Sequence, residues 1–163
     1  MRHARNIRHV GFPPVIDARS EVLILGSFPS VRSLSKAQYY GHPQNQFWRL
    51  VGTVLNEPLA EMDYERRKQA LLRHRIALWD IIGACARVGS LDSAIRAAEH
   101  NDFDRVANIA RKLRRVCFNG KTAAKMAPLF AAMNYETIVL PSSSPAYTMP
   151  FGEKLAHWRK INA

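Results

Sequence analysis

Four short apolar runs alternate with longer stretches of helical periodicity, and that alternation restricts the chain to a mainly parallel sheet with helices packed on both of its faces. The clearest run, Val22-Leu23-Ile24-Leu25, is apolar without interruption and stops at Gly26-Ser27-Phe28-Pro29-Ser30. Such a run fits a strand buried on both faces, the usual state of a parallel strand. Ile76-Ala77-Leu78-Trp79, Val116-Cys117-Phe118 and Thr137-Ile138-Val139-Leu140 repeat the pattern. Between them the spacing predicts helices over 45–55, 64–74, 104–113 and 121–133, with a closing helix over 152–161. No linker, repeat or low-complexity tract divides the 163 residues. One domain spanning 1–163 is expected, with 1–20, which holds Pro13, Pro14 and several basic residues, as an arm over its surface.

Composition narrows the function classes. The two cysteines, Cys85 and Cys117, stand far apart and in no CxxC arrangement, so a four-cysteine zinc or iron–sulfur site is excluded; no metal and no cofactor are expected. Apolar-flanked thiols suit a reducing cytoplasm. No run approaches the ~18 apolar residues that span a bilayer. Lys and Arg number 24 against 13 Asp and Glu, a formal net charge of +11, which favours a polyanionic partner. The basic residues gather at Arg2, Arg5 and Arg8, at Arg66, Arg67, Lys68, Arg73 and Arg75, and at Arg111, Lys112, Arg114 and Arg115. Each cluster read alone is first a solvated helix face. Segment 64–75 has too narrow an apolar stripe for membrane binding, so nucleic acid is the expected partner.

Two loops of small polar residues follow the first and last strands: Gly26-Ser27-Phe28-Pro29-Ser30 and Pro141-Ser142-Ser143-Ser144-Pro145. In a parallel sheet both emerge at the carboxyl edge, where ligands bind, so they can share one cleft. The glycine permits close approach, and the serines offer donors to phosphate or a base edge; as plain turns they would look the same. Tyr39-Tyr40-Gly41-His42-Pro43-Gln44-Asn45-Gln46-Phe47-Trp48 sits just before a helix. Asn45 fits a helix N-cap as well as a catalytic amide, Tyr40 fits the core as well as a stacking platform, and His42 fits a hydrogen-bonded loop position. Gly26-Ser27-Phe28-Pro29 lacks the glycines of a dinucleotide-binding turn, which excludes a Rossmann-type nucleotide enzyme.

Together with Leu78-Trp79-Asp80, Gly89-Ser90-Leu91-Asp92-Ser93 and Leu140 to Pro145, these segments resemble the uracil-DNA glycosylase superfamily, and within it the hypoxanthine-DNA glycosylase branch. The likeness runs from about Gly11 to Trp158. It implies a three-layer α/β/α sandwich around a four-stranded parallel sheet, and a monomeric enzyme that removes a deaminated base from DNA to leave an abasic site. Where most branches carry an Asn or Asp as the third residue of the first motif, this chain has Phe28, which cannot handle a water molecule. The hypoxanthine branch is similar in that respect and places its catalytic asparagine at the position of Asn45. The last loop lacks the histidine of the uracil enzymes, which argues against strict uracil specificity.

The resemblance assigns Gly26, Ser27, Phe28, Tyr40 and Asp80 to the base, and Ser142, Ser143, Ser144, Pro145, Ala146 and Tyr147 to the DNA, with one of the last three filling the gap left by the flipped nucleotide. A carboxylate at Asp80 can accept the N1–H that hypoxanthine has and adenine lacks, although Asp80 fits a cap at the strand end equally well. No motif places a lysine for Schiff-base chemistry, so cleavage without strand scission is expected. A uracil or broader deaminated-base glycosylase is the alternative, and after it a non-enzymatic nucleic-acid-binding domain.

Overall fold

The computed structural model describes residues 7–163, and the chain enters it through a short strand, β1 (Arg8–Val10). β2 (Val22–Gly26) follows and is buried at all five positions, as its uninterrupted apolar run requires. Then come α1 (Val31–Lys36), α2 (Phe47–Leu55), α3 (Tyr64–Arg73), β3 (Ile76–Asp80), β4 (Ile82–Ala86), β5 (Arg96–His100), α4 (Asp104–Ile109), β6 (Arg115–Asn119), α5 (Lys121–Ala124), α6 (Ala127–Ala132), β7 (Glu136–Leu140) and α7 (Phe151–Trp158). β2, β3, β6 and β7 form one parallel sheet in the order β3-β2-β6-β7, with helices on both sides. The four strands and the α/β/α architecture anticipated from the sequence are therefore present.

The sheet is held by its two inner strands. Leu23, Ile24, Leu25, Val116, Cys117 and Phe118 are wholly buried, each large apolar side chain contributing roughly 1.5–3 kcal/mol relative to exposure. On one side Phe47 of α2 meets Trp158 of α7 edge-on at 5.8 Å; elsewhere Phe130 of α6 packs against Phe118 of β6, also at 5.8 Å. The single helix expected over 121–133 is two short ones, because Pro128 cannot donate its backbone N–H and starts a new helix.

A second, three-stranded antiparallel sheet, β1-β4-β5, was not anticipated. β4 follows β3 after one residue, and Ile81 and Ile82 donate to the carbonyls of Gly26 and Ser27, so this sheet begins across the open end of β2. The described part of the stretch expected to lie over the surface is hydrogen-bonded to both sheets: β1 pairs with β4 of the antiparallel sheet, and Val15 exchanges two backbone hydrogen bonds with Leu78 of β3 in the parallel one. Arg2 and Arg5 lie outside the described residues. Register places Gly26 beside Asp80 and Asn119 beside Leu140 at the carboxyl edge.

Candidate active site

The carboxyl ends of β2, β3 and β6, together with the loop after β7, enclose a cleft of about 350 Å³. It is lined by Gly26, Ser27, Phe28, Tyr40, His42, Asn45, Asp80, Asn119, Ser142 to Ser144, Ala146 and Tyr147, so the separate sequence segments converge on one place. Pro145, exposed on the last loop, stands outside it. Among the described residues no three His, Cys, Asp or Glu side chains are grouped to hold a metal ion, and no helix is long and apolar enough to cross a membrane.

Asp80 ends β3 on the cleft floor and is only 4% exposed. Its Oδ2 is buried with no hydrogen-bond partner among the described residues. Burial, reinforced by the negative charge of Asp92 and opposed by Arg87, pushes its carboxyl up to about 7. Near neutral pH it can therefore accept or donate a hydrogen bond. Gly26 makes room for this group: a Cβ there would stand 2.6 Å from Asp80 Oδ1 and 2.6 Å from Tyr40 Oη. Only a residue without a side chain lets both oxygens close on the end of β2.

Tyr40 stacks on Phe47, the first residue of α2, with ring centroids 4.0 Å apart and planes within 15°. One of its faces is thus covered, and Tyr40 is among the residues that line the cleft. Asn119 Nδ2 donates to Tyr40 Oη at 3.2 Å, and burial raises the phenol far above its ordinary value, so the hydroxyl stays protonated. The backbone of Tyr40 is left-handed (φ 53°), an uncommon state for a bulky residue that persists where the surroundings enforce it.

Asn45 lies one residue ahead of the N-cap that the sequence offered it. α2 begins at Phe47, with Gln46 rather than Asn45 at the N-cap position, and Asn45 Oδ1 accepts from the Phe47 N–H at 2.9 Å. That bond fixes the side chain by its oxygen. Its Nδ2 makes no hydrogen bond among the described residues, so a locked amide presents two free donors at the cleft. His42 Nδ1 accepts from the Gln44 N–H at 3.1 Å, and the His42 carbonyl accepts from the Asn45 N–H, making His42 a brace for this turn.

The last loop is anchored by a residue that sequence reasoning missed. Asn119 donates to Ser143 Oγ at 2.9 Å and accepts from the Ser143 N–H at 2.9 Å, while the Ser143 carbonyl accepts from the Gln46 N–H. Ser143 is buried and ties three segments together; Ser142 Oγ and Ser144 Oγ accept from backbone N–H groups within the loop. The signal for Asn119 was there: it is the polar residue ending the third apolar run, followed by Gly120 at φ +93°. Ser27 Oγ donates to Asp92 Oδ1 at 2.7 Å, and the Val31 N–H donates to Ser90 Oγ, fastening the segment 89–93 to the first loop.

The profile of the "Uracil DNA glycosylase superfamily" matches residues 13–163, nearly the whole chain. The chain belongs to that superfamily. Two curated relatives, both named hypoxanthine DNA glycosylase, come from Methanosarcina species. The Methanosarcina acetivorans protein is 47% identical over 151 residues, covering 93% of this chain and 96% of its own. The Methanosarcina barkeri protein is 45% identical over 148 residues, covering 91% and 94%. The solution NMR structure of a proposed uracil DNA glycosylase from Methanosarcina acetivorans superposes with a TM-score of 0.85 at 45% identity, covering 96% of this chain and all of the other.

For a member of the uracil DNA glycosylase superfamily, the placement of charge differs from a simple count. Arg73 and Arg75 precede β3, and Arg111 to Arg115 precede or begin β6, so both clusters lie at the amino edge of the sheet, away from the cleft. Arg73 pairs with Glu57, Arg75 with Glu21 and Arg115 with Glu136. Arg67 donates to three carbonyls around Leu59 to Met62 and serves the fold. Other basic residues follow the carboxyl ends of strands instead: Arg32 and Lys36 on α1 after β2, and Lys121 opening α5 after β6.

Proposed function

We propose that this protein is a monofunctional DNA glycosylase that receives a flipped, deaminated base in the cleft, hypoxanthine first among them, and hydrolyses its N-glycosidic bond. The observation that carries the reading is the convergence of Tyr40, Asp80 and Asn45 on one cleft in a chain whose two curated relatives are named hypoxanthine DNA glycosylase. All three groups come from one chain, so a monomer and a single domain suffice.

A base in a duplex is out of reach, so the nucleotide must be extruded, at a cost of a few kcal/mol. Tyr40, which lines the cleft, takes the base by stacking, returning roughly 1–3 kcal/mol. Asp80 lines the cleft and, ionised, accepts N1–H of hypoxanthine; adenine offers no hydrogen there and leaves the buried carboxylate without that partner. Breaking the bond leaves positive charge on the sugar and negative charge on the base. The free Nδ2–H donors of Asn45 are aimed to stabilise the departing base or to orient the water that adds to C1′, and the base leaves with a proton. Phe28 offers no general base, so leaving-group stabilisation carries the acceleration. The segment 142–147 holds the DNA backbone, with Pro145, Ala146 or Tyr147 entering the vacated space.

A broader deaminated-base activity has one observation in its favour. A carboxyl poised near 7 changes from acceptor to donor within the neutral range and so fits more than one base edge. Single-turnover excision from duplexes that differ only in carrying hypoxanthine, uracil or xanthine separates the two, with hypoxanthine released fastest under the first reading. Binding of every duplex without release of any base would leave only a DNA-binding module.

A further inference from the structure

From Pro141 to Gly152 the chain carries no Lys or Arg, although under the proposed function this stretch includes the loop that holds the DNA backbone. The fold brings a cation to it from α7. Lys154 is 1% exposed, and its Nζ donates to the Ser144 carbonyl at 3.2 Å. The same carbonyl accepts from the Tyr147 N–H, and Nζ stands 5.5 Å from the centre of the Tyr147 ring. Trp158, one turn further along α7, donates to the Pro141 carbonyl at 2.9 Å. Two side chains of one helix face thus hold the loop at its start and at its middle.

A neutral donor could hold the Ser144 carbonyl equally well. An ammonium must be stripped of water to sit there, and it finds little in exchange. It forms no ion pair among the described residues, and two of its three N–H donors have no partner among them. The loop above it is also short of acceptors for its own hydroxyls. Ser142 Oγ accepts from the Ser144 N–H and Ser144 Oγ from the Ala146 N–H, so each oxygen is engaged while its hydrogen stays free to donate. We propose that Lys154 completes a phosphate site on the last loop: the hydroxyls of Ser142 and Ser144 donate to one DNA phosphate beside the flipped nucleotide, and the ammonium beneath them supplies its counter-charge. A charge held under the surface is screened less by salt than one on an exposed side chain, which suits it to act across the loop. The inference deepens the functional reading above and rests on it.

The test measures affinity for a duplex carrying 2′-fluorodeoxyinosine, which resists cleavage because the fluorine disfavours positive charge on the sugar, from about 50 to about 200 mM KCl. Lys154→Met keeps the length of the side chain and loses its charge. It should bind about three- to tenfold more weakly at the low end, with log affinity falling less steeply against log salt, by about 0.9 for one phosphate, so that the two proteins converge as salt rises. Its limiting single-turnover rate on a hypoxanthine duplex should stay within about twofold of the unsubstituted rate, the loss appearing in half-saturation. Lys154→Arg should keep the original salt slope. Unchanged affinity in Lys154→Met, or a loss equal at every salt concentration, overturns the phosphate site and leaves Lys154 as a tether of the loop. Should Lys154→Met fail to fold, the unsubstituted protein labelled with ¹³C at lysine Cε decides. Its Lys154 resonance, identified by its loss in Lys154→Arg, should shift when the duplex is added, and a single methylphosphonate at the contacted linkage should cancel the shift. A resonance that stays in place overturns the site. Absence of base release by the unsubstituted protein defeats the functional reading, whereas base release with parallel salt lines defeats only the role of Lys154.

Discussion

On the floor of the cleft Asp80 is 4% and Ser143 1% exposed, whereas Tyr147 and Leu91 at its rim stand 41% and 61% in solvent. The floor is cross-linked by side chains: Asn119 joins Tyr40 to Ser143, Phe47 backs Tyr40, and the Phe47 N–H holds Asn45. The rim is held by backbone turns and by hydroxyls such as Ser144 Oγ and Ser90 Oγ. Under the proposed function, the groups that meet a developing charge to within a fraction of an ångström are the ones fixed before DNA arrives. Groups that must follow a bent, phosphate-lined surface are left in solvent. Substitutions on the floor should therefore change the chemical step, and those at the rim should change how readily the base reaches it.

The largest effect is expected at Asn45. Asn45→Asp keeps an oxygen for the Phe47 N–H, so stability should hardly change, yet it replaces the two donors by negative charge beside the departing base; single-turnover excision should fall by about 10²-fold or more. Asn45→Ala should lose excision similarly and in addition about 1 kcal/mol of stability, read from urea unfolding. Near-normal excision by either would break the contrast at its strongest point. Gly26→Ala comes next. Its methyl group would push Asp80 and Tyr40 apart, lowering excision roughly tenfold or more while DNA binding at the rim persists.

A smaller, pH-dependent effect belongs to Asp80. Its carboxyl titrates at about 7 in the fold and at about 3.9 in the unfolded chain, so between those values the folded state holds a proton that the unfolded state has lost. Stability from this group is full below about pH 4, falls as the pH rises through 7, and then levels off. Asp80→Asn removes that fall, and the gap between the urea midpoints of the two proteins should widen from pH 4 to 7. A constant gap would show that Asp80 is not buried as an acid. The smallest effect is expected at Tyr147, where Ala should slow excision only a few-fold from paired duplex and hardly at all from single strands.

How much of this was legible in the sequence depended on which physical signal each element carries. β2 and β7 announce themselves by unbroken apolar runs, and the loops that end them led to the cleft. β4, with Gly83, Ala84 and Ala86, has little β-propensity, and β5, Arg-Ala-Ala-Glu-His, is exposed at every position, so neither shows a period to read. Asn45 looked like a choice between cap and catalyst because one residue's hydrogen bonds are invisible in a string; the fold engages its oxygen with the Phe47 N–H and leaves its nitrogen for the role proposed above. Asn119 and Arg87 were missed for the same reason. Asn119 ends the parallel strand β6, which brings it beside Tyr40, and Arg87 follows the antiparallel strand β4, which brings it near the Phe28 ring.

Under the proposed function, the floor of the cleft selects a base by its N–H edge and then releases it. The most direct test incubates the protein with duplexes identical except for hypoxanthine or adenine at one position, and then cleaves abasic sites with alkali. Cleavage confined to the hypoxanthine strand, rising with pH toward the neutral range as Asp80 ionises, is the expected result. No abasic site at hypoxanthine, or equal release of adenine, would contradict the account.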